Sequence, residues 1–209
     1  MKILITSSVM PIRGGVTAYM DTLAKKLEEL GHYVITTGIT GNTKKGSRFL
    51  SPKEYRLIKA LTDNDFIFFI AFHLAKLMLF LKNSTSTVYG RLDVVHAQDV
   101  NAVNALYYLC RIKKTKLVLT LHGHLSDGGT ATRKIDGSTS LGRHLLKEEM
   151  KAFKRAGHII VVSDYAYNLV KKYTDIRRIS LIRNFVDTGI YRPIENSIRN
   201  KMRSEMGYA

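Results

Sequence analysis

The 209 residues contain no tryptophan, one cysteine and three prolines. A single thiol, Cys110, excludes an internal disulfide framework and fits a reducing compartment. It lies among Leu106, Leu109 and Ile112, so it reads as a small buried hydrophobe rather than a nucleophile. There is no zinc-ligand spacing, helix-turn-helix signature or RNA-binding strand motif, which leaves nucleic-acid binding without a motif to carry it. The dinucleotide fingerprint Gly-x-Gly-x-x-Gly is missing, and Arg13-Gly14-Gly15-Val16-Thr17-Ala18 does not fit it. No signal peptide is expected, because Met1-Lys2 leads straight into a strand. Carboxylates are also scarce. Asp and Glu number 17 against 33 Lys and Arg, a formal net charge of +16. Such a charge predicts attraction to nucleic acid, a lipid surface or a phosphorylated substrate, without choosing between them.

The longest apolar run, residues 66–81, is broken only by His73 and Lys76. As a helix it spans roughly 24 Å, short of the roughly 30 Å hydrocarbon core, so it is not read as a membrane span. Burial on most sides is the favoured reading, and a face turned to a membrane or another domain is the alternative. His73 is then a satisfied or snorkelling side chain. Ahead of this run, residues 44–59 form the densest basic region, read as a solvated face.

What is present is a strand, a glycine loop and a helix, followed by repeated strands. Lys2-Ile3-Leu4-Ile5-Thr6 is a short apolar strand, and the loop after it ends in Gly14-Gly15. Val16, Met20, Leu23, Leu27 and Leu30 then recur at helical spacing, and Gly31 sits where a left-handed C-cap belongs. The helix start leaves unpaired N–H groups and partial positive charge facing the loop, where two glycines let an anion approach the backbone. His32 to Thr37 completes a βαβ unit, hence a parallel sheet. Further strands are read at 92–99, 116–121, 158–162 and 179–182. Ser163 is placed to cap the helix after 158–162. Residues 126–142, rich in Gly, Ser and Thr, read as a mobile loop over a cleft.

Ligands of open parallel sheets bind beyond the carboxyl ends of the strands. His96, Asp99 and His122 fall at such ends, with His124 close behind and the Gly14-Gly15 loop beside them. Pattern alone therefore places a site on that edge.

The segments "LGHYVIT" at 30–36, "LDVVHAQD" at 92–99, "LVLTLHGH" at 117–124, "HIIVVSDYA" at 158–166 and "LIRNFVDTGIYRP" at 181–193 follow the Gly14-Gly15-Val16 loop in one order. In that order the chain resembles the N-terminal domain of retaining GT-B glycosyltransferases, specifically glycosyltransferase family 4. The resemblance implies an α/β fold: a Rossmann-like, doubly wound parallel sheet with helices on both faces, one half of a GT-B enzyme. It places an acceptor-binding domain at 1–192 and, at 193–209, a linker and the start of a donor-binding domain that the chain lacks. The chain alone is then expected to be inactive.

The same resemblance implies transfer of a sugar from a nucleotide-sugar to a hydroxyl acceptor, with retention and with no cofactor or metal. It assigns catalysis to His122, donor-diphosphate contacts to Gly14 and Gly15 with Arg13 beside them, and the interdomain seam to Asn184. Asp99, His96 and His124 are acceptor-side candidates. His122 is expected to titrate near the ordinary 6.5. Phe185 stands where the family's commonest residue is glycine, and that changes the shape of the turn. The implied partners are the donor, the acceptor and the missing C-terminal domain, in the cytoplasm, with an anionic membrane surface added by the charge. The other class of reading is a Rossmann-type binding module without chemistry, drawn to anionic lipid or nucleic acid.

Overall fold

Six apolar stretches pair as one parallel sheet in a computed structural model that describes residues 1–8, 15–38, 64–84, 90–123, 137–186, 188–189 and 191–208. The strands are β1 (Lys2–Thr6), β2 (Tyr33–Thr37), β3 (Val94–Ala97), β4 (Lys116–Leu121), β5 (His158–Val161) and β6 (Ile179–Leu181). Their order is β2-β1-β3-β4-β5-β6, and every neighbouring pair is parallel. The described helices are α1 (Gly15–Glu29), α2 (Asp65–Ser84), α3 (Val100–Ile112), α4 (Ser140–Arg155), α5 (Asp164–Val170) and α6 (Asn196–Glu205).

The chain steps from β1 to β2 in one direction, then passes back over β1 to reach β3. Right-handed crossovers then place α1 on one face of the sheet and α2 to α5 on the other. Strand alternation supplies both faces. Ile3 and Ile5 pack with Met20 and Ala24 of α1. Leu4, between them, joins Val95, Leu119 and Ile159 in the larger core under the opposite helices. The doubly wound architecture expected from the sequence is present. So are its punctuation marks. Gly31 takes φ +81°, its N–H donates to the Glu28 carbonyl, and His32 N–H donates to Leu27, a Schellman ending. Ser163 Oγ accepts from Ala166 N–H at 3.2 Å and starts α5. Leu30, one residue before Gly31, is 72% exposed, because the helix ends at Glu29 and the buried stripe of α1 is Tyr19, Met20 and Ala24.

The first half of α3 is buried nearly all round, since α2 and α4 roof it. Asn101 Nδ2 donates to the Phe72 carbonyl at 3.0 Å, and Asn104 Nδ2 donates to the Glu148 carbonyl at 2.9 Å. The two roof helices also touch each other. Phe68 and Phe72 pack on Leu141 and Leu145, the His73 and His144 Nε2 atoms meet at 3.0 Å, and Lys76 Nζ reaches Glu148 at 2.6 Å. Glu148 is buried, and burial alone would raise its carboxyl. Hydrogen bonds from Lys151 and Lys76 outweigh that and hold it at about 2.

Burial of 66–81 on most sides does not hold. As an outer layer, α2 has protein beneath only the stripe of Phe68, Phe72, Leu79 and Asn83. Phe66 is 71% exposed, Leu74 51% and Leu77 52%. His73 is satisfied, as expected, by His144. Cys110 is buried in the main core, and its thiol is pushed up to about 12 by burial. The last helix, α6, buries no residue. The basic region at 44–59 and most of the expected loop at 126–142 lie outside the described residues, and 140–142 are the first turn of α4.

Candidate active site

The carboxyl ends of β1 and β3 are adjacent, while their connections leave for opposite faces of the sheet. That is the switch point at which open α/β sheets take ligands. Asp99 holds it together. As N-cap of α3 it accepts from Ala102 N–H at 2.8 Å. It also accepts from Ser7 Oγ at 2.8 Å, Ser8 N–H at 2.6 Å and Ser8 Oγ at 2.7 Å. These bonds tie the exit of β1 to the start of α3. Asp99, expected on the acceptor side, therefore has its carboxylate engaged within the protein.

Alternation turns His96 and Gln98 to the face that carries α1, and does the same for Thr120 and His122. Parallel register then sets them in two rungs. His96 Nε2 meets Thr120 Oγ1 at 2.7 Å, and His122 Nε2 meets Gln98 Oε1 at 2.9 Å. Tyr19 of α1 covers the second rung: its ring packs edge-on against His122 with centroids 4.8 Å apart, and burial raises the pKa of its hydroxyl, with Thr120 opposing. His96 is an interior residue, its pKa lowered to about 4 by burial and then by His122. It is part of the support, not of the cleft wall. His122 is only partly buried. Its pKa is lowered by burial, with Asp99 opposing, so the expected value near 6.5 does not hold and the ring is neutral at pH 7. With the Gln98 oxygen facing it, Nε2 carries the proton and Nδ1 is the acceptor. The Gln98 Nε2 amide is buried with no hydrogen-bond partner among the described residues.

Gly15 is the first residue of α1, and a Cβ built on it meets nothing within 4 Å. It lines a cavity of about 500 Å³ with Tyr19, Asn184, Phe185 and Tyr191. The ring of Phe185 lies 4.9 Å from that of Tyr19. Gly15, Asn184 and, through Tyr19, His122 are thus brought to one region. Arg13, Gly14 and His124 lie outside the described residues.

The sequence profile of Glycosyltransferase Family 4 matches residues 13–189. The chain belongs to glycosyltransferase family 4. Solved structures share the fold. Anabaena HepE in complex with UDP superposes with a TM-score of 0.64 at 16% identity, over 99% of this chain and 50% of that one. Sucrose-phosphate synthase from Thermosynechococcus elongatus gives 0.60 at 15%, over 100% and 53%. The lipopolysaccharide outer core galactosyltransferase WaaB gives 0.58 at 11%, over 90% and 46%. The chain spans about half the length of each. No curated protein matches it at a significant level.

Two members of this candidate site escape a reading by sequence position alone. Gln98 sits between His96 and Asp99 but carries no charge to draw attention. The available signal was alternation: His96 and Gln98 share a face, as do Thr120 and His122, and His96 bonds Thr120 and Gln98 bonds His122 across the same separation of 24 residues. Tyr19 lies next to Met20 on the buried side of α1, where an aromatic ring is ordinary helix packing.

Proposed function

We propose that this family 4 chain is the acceptor-side half of a retaining glycosyltransferase, which moves a sugar from a nucleotide diphosphate to a hydroxyl acceptor. The observation that carries the reading is the meeting, at one sheet edge, of the start of α1 at Gly15, where a Cβ would meet nothing within 4 Å, with a neutral, braced His122. In the reaction the bond from the anomeric carbon to the diphosphate oxygen breaks. The acceptor oxygen bonds to that carbon on the same face of the sugar, and the acceptor proton leaves with the diphosphate. Charge accumulates on the departing group, where the partial positive charge at the start of α1 stabilises it. His122, its tautomer set by Gln98, hydrogen-bonds a sugar hydroxyl near the reacting carbon. Asp99 acts at one remove by fixing Ser7 and Ser8 at the exit of β1. The complexes of HepE with UDP and with UDP-glucose support a nucleotide-sugar donor. Since the chain covers about half of those structures, full activity is assigned to this half together with a donor-binding domain.

The test is an amide-resolved NMR titration with UDP. Expected are shifts at Gly15, Val16 and Thr17 at millimolar nucleotide. Gly15→Val should lose them with its fold intact, because the added side chain enters open space. Shifts that spare the start of α1, or a Gly15→Val chain that binds UDP as well as wild type, would overturn the reading.

A further inference from the structure

We propose that the outer surface of the α2–α4 pair is a docking face for an anionic lipid bilayer. The proposal goes beyond sugar transfer and does not depend on it. Phe66, Ile70, Leu74, Leu77 and Leu81 follow one another at steps of four and three along the exposed side of α2. They form a single apolar stripe roughly 22 Å long. The two lysines within the helix do not interrupt it. Lys76 Nζ is bound to Glu148, and Lys82 Nζ donates to the Gly38 carbonyl at 2.6 Å.

The neighbouring helix supplies the charge. Beyond Ser140, the exposed residues of α4 are Arg143, Lys147, Lys151 and Lys154, again at steps of four and three. Its acids, Glu148 and Glu149, are both buried. Asp65 and Phe66 share a pocket with Ser140 and Leu141, Phe69 and His73 meet His144, and Lys76 meets Glu148, so the contacts advance together along both helices. The helices therefore run side by side in the same direction, and the apolar stripe lies against the cationic one. Apolar side chains entering the acyl boundary beside lysines and arginine at the headgroups are what an anionic bilayer accepts.

Other occupants fit less well. A second copy joined through α2 would bring two rows of four cations together. Nor does α2 cross the bilayer: no described helix is long and apolar enough to do so, and its inner stripe is committed to the core. Both helices lie on the face of the sheet opposite α1, so a bilayer on this face would leave the side of the candidate site free.

Vesicle flotation tests the assignment, with phosphatidylcholine alone and with phosphatidylglycerol added, at low and high salt. The chain has no tryptophan, so Leu77→Trp reports on this face alone. Expected are binding to the anionic vesicles only, weakening with salt, and a blue shift of the Leu77→Trp emission on binding. Replacing Arg143, Lys147 and Lys154 with glutamine should lower partitioning about 100-fold. Leu74→Glu with Leu77→Glu should abolish it. Both sets are exposed, so the melting temperature should hold, and it is measured to confirm folding. Equal binding to neutral vesicles, no binding at low salt, or indifference to both variants would overturn the proposal. A concentration-dependent dimer dissolved by the two glutamates would also overturn it, giving the face to a second copy.

Discussion

Replacing Glu148 with glutamine keeps the shape of the side chain and removes only its charge. In the wild type, Lys76 and Lys151 outweigh the burial of this carboxylate and bring it down to about 2 from the ordinary 4.5. A depressed folded pKa stabilises at pH values above the unfolded one, here 4.5. The contribution then declines as pH falls toward 2. A shift of this size corresponds to about 3 kcal/mol. The Lys76 and Lys151 side chains are 21% and 54% exposed, so water screens part of it and roughly 2–3 kcal/mol is expected. Asn104 Nδ2, which also reaches the carboxylate at 3.2 Å, can still donate to an amide oxygen. Urea melts of wild type and Glu148→Gln from pH 7 to pH 2 should show that gap at pH 7, closing almost completely at the acid end. Taking the difference at each pH cancels the other carboxylates. A gap that stays constant with pH, or a glutamine variant as stable as wild type at pH 7, would refute the reasoning.

In an assay of the proposed sugar transfer by this half together with a donor-binding domain, His122→Ala should lower kcat by on the order of 10²–10³ with little change in melting temperature; near-normal kcat, or a collapse in stability, would mark the residue as structural. Burial lowers the pKa of His122, so its rate profile should stay level as pH falls through 6.5 and decline only below it. A midpoint at 6.5 would contradict the burial argument. Asp99→Ala strips the cap of α3 and the anchors of Ser7 and Ser8, and thermal unfolding should show a loss of about 2–3 kcal/mol. A loss within about 0.5 kcal/mol would mean that water replaces those bonds at no cost.

Much of the fold was legible because a parallel sheet buries its strands on both faces, leaving apolar runs with sharp ends. The Lys2–Thr6 and Lys116–Leu121 strands were read to the residue. The exposure of α2 was not. Hydrophobicity says that a helix seeks cover, but not whether the cover is protein. The burial of Glu148 was hidden for the opposite reason, since an acid can be buried there only once Lys76 arrives from a helix 72 residues earlier. His122 could be picked out because a strand end is a sequence feature. Its supports could not, because Tyr19 and Gln98 reach it through a register that exists only after β3 and β4 have paired and α1 has settled above them.

The strand order also sets a timetable for synthesis. β1 gains its first neighbour when residues 33–37 pair with it, but its other edge waits for residues 94–97. About sixty residues separate those events, and at roughly 5–20 residues per second the ribosome takes some 3–12 s to supply them. Throughout that interval the most apolar strand of the N-terminal half presents an unpaired edge. An unpaired apolar edge of this kind is prone to aggregation until β3 emerges to cover it. A slower decoding of residues 38–93 would lengthen that exposure and lower the soluble yield without changing a single native contact.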